Sequence, residues 1–293
     1  MDQAMTGAAN YEDRFNRVAE YIYAHLDDDI DLLTLSDVAC LSPYHWHRIY
    51  HAVRGETIAA TVKRLRLNRA AGYLADTTMP LSEIAAKSGY SNLQSFSRTF
   101  KAAYGLPPAE YRKNGSHRRF QDATREGSHA MYEVAIRTVG NRKGIGIDHT
   151  GSYMEIDKAF GQLFVWLGAR GLIGPATHMV AVYYSDPSSV AEAELRSRAC
   201  VYVDGPVALE APVVETDIPG GEHAVLRHVG PYADMRSAYN WLYGTWLPNS
   251  GREPGDAPVF EEYLNNPRDT APADLVTEIW LPLRAGVMSG AAA

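Results

Sequence analysis

The feature that most limits the fold is an internal repeat in the second half of the chain. His149-Thr-Gly151-Ser-Tyr153 recurs 79 positions later as His228-Val-Gly230-Pro-Tyr232. At the same offset Ile156, Phe160, Leu163 and Phe164 meet Met235, Tyr239, Leu242 and Tyr243, which form an i, i+4, i+7, i+8 face in both copies. Strands flank that helix: MYEVAIRTV, HMVAVYYS, RACVYVDG, HAVLRHV and LVTEIWLPL are short and rich in Val, Ile and Tyr. A duplicated unit of this kind is expected to pair with its copy as two pseudo-symmetric βαββ-like repeats of an α+β domain. The cleft between the copies is then the natural place for a ligand.

The first half has a different texture. From Tyr11 to Arg112 the apolar residues recur at helical spacing in short pieces, with no strand alternation, so this half reads all-α. The expected organisation is multidomain: a helical unit over 11–113, a polar linker over 114–130, the α+β domain over 131–284 and a disordered tail over 285–293. A chain of 293 residues is long enough for two separate cores. The linker composition suits a flexible tether, so that ligand binding would either reposition one domain against the other or alter contacts with a protein partner.

Charge divides the same way. Residues 30–120 carry 13 Lys and Arg against 6 Asp and Glu, whereas residues 121–293 carry 13 against 22. A basic segment joined to an acidic domain suits a nucleic-acid binder with a second function. Cys40 and Cys200 are too far apart and too few for a disulfide framework or a zinc site. The i, i+2 pair His45 and His47 points to divergent helix faces, so no metal is expected. No run reaches the roughly 18 to 20 apolar residues of a membrane span, and the first residues lack a signal-peptide order, so a soluble, cytoplasmic protein is expected.

Two helix-turn-helix patterns stand in the basic segment. In the first, a helix near Leu33 to Ala39 precedes Ser42-Pro43, an N-cap with Pro at the first helical position. Trp46, Ile49 and Tyr50 then form an inward stripe that leaves Tyr44, His47 and Arg48 outside. In the second, Leu81, Ile84 and Ala85 make a scaffold helix and Gly89 a left-handed stop. Ser91 or Asn92 caps a helix with Phe96 and Phe100 inward, Leu93 at the edge of that stripe, and Gln94, Ser95, Ser97 and Arg98 outward. The repeated L-S-x-[IV]-A, the run GYSNLQSFSRTFK followed by GLPPAEYR, and the connecting GETIAATVKRLRLNRAAGYL resemble the AraC/XylS family of transcription regulators.

That resemblance implies a monomeric unit that binds double-stranded DNA, its two motifs held by one long helix, here roughly 56–75. The recognition helices would enter successive major-groove segments about 34 Å apart. The residues matching the family's base-facing positions are Tyr44, His47 and Arg48 in the first motif and Leu93, Gln94, Ser95, Ser97 and Arg98 in the second. Arg48 and Arg98 suit guanine and Gln94 adenine. Lys63, Arg64, Arg66, Lys101 and Arg112 are expected at phosphates or in solvent, and RNA polymerase is an expected partner.

In the α+β half, APVFEEYLNNP puts Glu261 and Tyr263 on one strand face and Phe260 and Glu262 on the other. Offset by 79, Val182 stands opposite Glu261 and Tyr184 opposite Tyr263, so the acid belongs to one repeat only. A carboxylate among many aromatics favours a lipophilic cation. GGEHAVLRHVGPY, the W-L-P at 246–248, F-E-x-Y-L-N-N-P and the closing EIWLPL resemble the GyrI-like small-molecule-binding domain, and the two-part chain looks like the Rob-type arrangement. The resemblance implies that Glu261, Tyr263 and Trp280 line an effector pocket; Tyr232, Tyr153 and Trp241 complete the expected contacts. Two alternatives stay open. In one, Glu261 is a general base on water, with Tyr263 or Tyr232 steadying the leaving group of a small electrophile. In the other, the domain binds a protein. No P-loop, dinucleotide fingerprint, H-E-x-x-H or G-x-S-x-G is present, so neither a cofactor nor metal catalysis is expected.

Overall fold

The computed structural model describes residues 2–41, 49–51, 54, 56–115, 132–174, 177–187, 189–203 and 205–284. The expected base-facing residues Tyr44, His47 and Arg48, the linker beyond residue 115 and the tail 285–293 lie outside the described residues.

The helical half comprises α1 (Asp2–Ala24), α2 (Leu32–Val38), α3 (Ile58–Asp76), α4 (Leu81–Lys87), α5 (Leu93–Tyr104) and α6 (Pro108–Asn114). Their starts follow from side-chain caps that satisfy the first free N–H groups. Asp31 accepts from Leu33, Thr57 from Ala60, and Asn92 from Ser95 at 2.7 Å. Gly89 and Gly105 adopt left-handed backbone, at φ +71° and +76°, and stop α4 and α5. At Gly89 a Cβ would also collide with the Leu26 carbonyl and the Arg66 guanidinium, so no larger residue fits.

α3 serves two cores. Its Ile58, Val62 and Leu65 pack with Phe15, Val18, Ile22, Leu35 and Tyr50. Its Leu67, Ala70, Ala71 and Leu74 pack with Ile84, Phe96, Phe100, Tyr104 and Tyr111. One rigid helix therefore carries both sub-units, each with its own buried apolar set.

The other half is one antiparallel sheet of β1 (Val134–Val139), β2 (Arg142–Thr150), β3 (Met179–Tyr183), β4 (Arg196–Tyr202), β5 (Val214–Ile218), β6 (Gly221–Val229), β7 (Val259–Tyr263) and β8 (Val276–Pro282), with helices α7 (Asp157–Ala169) and α8 (Met235–Trp241). The strand order β1-β6-β8-β7-β3-β4-β2-β5 reads the same from either end when the two copies are exchanged. Each βαββ repeat is preceded by one further strand that crosses to the other copy, β1 pairing with β6 and β5 with β2. The pseudo-twofold axis runs between β3 and β7, where Ala181 faces Glu261.

The repeated His-x-Gly motif has a structural role. His149 and His228 are buried, and each Nε2 lies within hydrogen-bond reach of a carbonyl three residues on, Ser152 at 3.0 Å and Pro231 at 3.4 Å. Gly151 and Gly230 take positive φ, +119° and +142°, which only glycine adopts without strain. The turn thus aims Tyr153 and Tyr232 from equivalent places.

The two halves share a packed interface, so a tether alone does not describe their connection. Val165 of α7 joins the first helical core and Ala233 the second. Arg54 donates from Nη1 to the Gly161 carbonyl at 2.7 Å, and a Cβ on Gly161 would sit 2.7 Å from the same nitrogen. The Tyr111 hydroxyl donates to Asp234 at 3.0 Å, and Arg236 pairs with Asp76 at 3.1 Å.

Candidate functional site: a cavity between the repeats and the linking helix

β7 projects Glu261 and Tyr263 toward the cleft, as strand alternation requires. The small Ala181 opposite Glu261 leaves room above the carboxylate. Glu261 is 4% exposed. Its Oε1 accepts from the Tyr239 hydroxyl at 2.8 Å, and its Oε2 accepts from Tyr263 at 2.8 Å and Tyr183 at 3.1 Å. The Tyr183 and Tyr263 hydroxyls are 2.9 Å apart. Burial raises the Glu261 carboxyl above its usual range, and the three phenol donors pull it back. Burial and the facing carboxylate push the Tyr183, Tyr239 and Tyr263 hydroxyls well up, so all three stay protonated and donate.

Around this group lies a cavity of about 1220 Å³, above the roughly 300–1,000 Å³ of ordinary small-molecule sites. Aromatic walls come from both repeats: Tyr153 and Phe160 from the first, Tyr232 and Tyr243 from the second. Tyr153 meets Tyr183 edge-on at 4.7 Å, and Tyr232 meets Tyr263 at 5.5 Å. The remaining wall belongs to the helical half, where Arg54, Glu56, Arg64 and Asn68 line the cavity. α3 thus roofs the cleft between the repeats.

Of the expected effector contacts, the cavity brings together Glu261, Tyr263, Tyr232 and Tyr153. Trp280 and Trp241 do not line it. In the antiparallel β7–β8 pair, Trp280 is opposite Phe260, so it shares that residue's face, away from Glu261. There it stacks on Phe260 at 5.4 Å, with Arg137 and Arg142 over its ring. Trp241 is turned from the cavity into the core formed by Ala224, Leu226 and Ile279.

The residues equivalent to Glu261 and Tyr263 are Ala181 and Tyr183, not Val182 and Tyr184. Between the helix and the third strand the second copy is one residue longer, which moves the offset from 79 to 80. Sequence reasoning therefore missed Tyr183, and Tyr184 is exposed. Tyr239 was visible as a member of the helix face but not as a carboxylate partner.

On α5 the residues expected to face bases differ in exposure. Leu93, Gln94 and Arg98 are exposed and Ser95 and Ser97 half-buried, with Phe96 and Phe100 fully inward. Leu93 thus stands outside the core stripe. Three of the expected phosphate contacts are committed to the protein instead. Arg64 donates to Glu56 at 2.7 Å, Arg66 to the Leu26 carbonyl at 2.9 Å, and Arg112 to the Met79 carbonyl at 2.6 Å. Lys63 and Lys101 remain exposed. Among the described residues there is no cluster of metal-ligating side chains, and no helix is long and apolar enough to cross a membrane.

Comparison with known proteins agrees with this two-part architecture. Residues 132–284 match the GyrI-like small molecule binding domain, and residues 35–114 match a helix-turn-helix domain. The chain is similar to the right origin-binding protein of Escherichia coli (strain K12), 26% identical over 283 residues, which is 90% of this chain and 96% of that protein. It is similar to the transcriptional regulator Rob of Salmonella typhimurium, 24% identical over 279 residues, with 90% and 96% covered. Its second half is similar to the DNA gyrase inhibitor of Enterobacter lignolyticus, 29% identical over 158 residues, 53% of this chain and 99% of that one. With more than half of its length in that domain, the chain belongs to the GyrI-like small molecule binding domain family, and it is a transcriptional regulator with an AraC-type helix-turn-helix unit ahead of the effector domain.

Proposed function

We propose that residues 11–113 read double-stranded DNA, through Gln94 and Arg98 on α5 and Tyr44, His47 and Arg48 in the first motif, and that residues 131–284 sense a lipophilic aromatic cation. The observation that carries the effector reading is Glu261, a carboxyl almost fully removed from water, ringed by tyrosines in a large cavity. A desolvated carboxylate is costly without a cation, and aromatic faces add cation–π attraction. On this reading the protein works in the cytoplasm, with RNA polymerase as partner, and ligand occupancy reaches DNA through the shared wall at α3.

The environment of Glu261 favours sensing over hydrolysis. A general base at neutral pH needs a free lone pair and a raised affinity for protons. Here burial raises the affinity for protons, but three phenols already donate to the two carboxylate oxygens, so the lone pairs a base would use are engaged.

The test uses the full chain and a DNA site selected from random duplexes. Arg98→Ala is expected to cost about 1–3 kcal/mol at the selected site and little on random DNA, measured by fluorescence anisotropy. Equal losses on both would make Arg98 a phosphate contact and remove it from the specificity set. Tetraphenylphosphonium, titrated calorimetrically, is expected to bind and to shift the affinity for the selected site. Failure to bind would overturn the cationic reading.

A further inference from the structure

The cavity has a second charged end, and the residues that make it come from both domains. Besides Glu261, the cavity is lined by Arg54, which closes the first motif, Arg64 on α3, and Arg268 in the loop after β7. Facing them are two acids, Glu56 and Asp157. Arg64 takes up Glu56 with a fork, Nη2 to Oε1 at 2.7 Å and Nε to Oε2 at 3.3 Å. Arg268 approaches the same Glu56 oxygen only to 3.7 Å, and its guanidinium makes no hydrogen bond among the described residues. Arg54 is 6% exposed and spends Nη1 on the Gly161 carbonyl, while its buried Nε has no partner. Asp157 reaches Arg64 at 3.5 Å through Oδ2, and its buried Oδ1 has no partner either.

We propose that Arg54, Arg64 and Arg268 form an anion subsite at the domain junction, which receives a carboxylate borne by the same effector whose cationic end meets Glu261. The inference rests on the reading of this cavity as the effector site, and it narrows the ligand class to zwitterionic aromatic amphiphiles.

Three observations support it. Three guanidinium groups face two carboxyls, and burial raises the Asp157 carboxyl. The excess positive charge sits in a half-buried wall, with the Arg64 and Arg268 side chains 24% and 25% exposed, where Arg54 and Arg268 are pushed down by burial yet remain cationic. Tyr232 joins the two ends: it packs on Tyr263, and its hydroxyl is raised by burial and by Glu261 and lowered by Arg64. A carboxylate placed here pairs with the partly exposed Arg268, whose guanidinium makes no hydrogen bond among the described residues, in the field of the buried Arg54 behind it. Because Arg54 also holds Gly161 of α7, such a ligand ties the first motif to the effector domain.

The test uses the full chain and a matched pair of dyes. Rhodamine B carries a xanthylium cation and a free benzoate, and its ethyl ester keeps the cation and loses the anion. Rhodamine B is expected to bind about tenfold tighter than the ester, the scale of one charge-assisted hydrogen bond. Arg268→Gln, which removes a guanidinium without hydrogen bonds of its own, is expected to bring the two dyes within about twofold while leaving the ester unchanged, which also checks folding. Inorganic phosphate is expected to displace rhodamine B and not the ester. Equal affinities in the unaltered protein, or a preference untouched by Arg268→Gln, overturn the subsite. Ester binding that ignores Glu261→Gln overturns the cationic reading and leaves the subsite standing, and binding of neither dye overturns both.

Discussion

Glu261→Gln is expected to weaken tetraphenylphosphonium binding by about a hundredfold or more, with the fold intact. The carboxylate is 4% exposed, so a bound cation pairs with it in a medium from which water is largely excluded. Removing one partner of a buried ion pair costs about 3–5 kcal/mol, against less than about 1 for an exposed one. Glutamine keeps the shape and loses only the charge. Its carbonyl oxygen still accepts from a tyrosine, and its amide donates to a phenol oxygen, so Tyr183, Tyr239 and Tyr263 keep partners. Calorimetric titration measures the loss, and near-ultraviolet circular dichroism reports the tyrosine packing. If binding is unchanged while turnover of an electrophilic ester disappears, Glu261 is catalytic; if neither changes, it acts on no ligand.

Phe100→Ala is expected to lower the unfolding free energy of the helical half by about 3–5 kcal/mol and to abolish DNA binding at 37 °C or below. Phe100 is fully buried and stacks on Tyr104 at 4.4 Å, meets Tyr111 at 5.3 Å and packs against Phe96 at 5.7 Å. Alanine removes the centre of that aromatic set and leaves a cavity that rings on short helices collapse into poorly. The damage reaches the domain contact, because Tyr111 donates to the buried Asp234 beside Tyr232. Urea denaturation followed at 222 nm measures the first effect. An exposed-site substitution such as Lys101→Ala on the same helix serves as the control and is expected to change stability by less than about 0.5 kcal/mol. A Phe100→Ala protein as stable as that control would show that α5 is not held by its inward stripe.

What the sequence by itself determined is local and periodic. The cap of α5, the stop at Gly89, the inward Phe96 and Phe100 and the outward Arg98 follow from turn chemistry and the 3.6-residue period. The duplicated His-x-Gly-x-Tyr turn and the common face of Glu261 and Tyr263 follow in the same way from a repeat and from strand alternation. What only the tertiary structure decided depends on register and on distant convergence. Trp280 is excluded from the cavity because its pairing with Phe260 fixes its face, and pairing is not encoded in the alternation of one strand. Tyr183 reaches Glu261 because of a one-residue difference between the copies, and Arg54, Arg64 and Arg268 meet only because α3 is packed across the cleft. Periodicity selects the face a residue occupies on its own element, whereas the partner opposite that face is set by the packing of elements far apart in the chain.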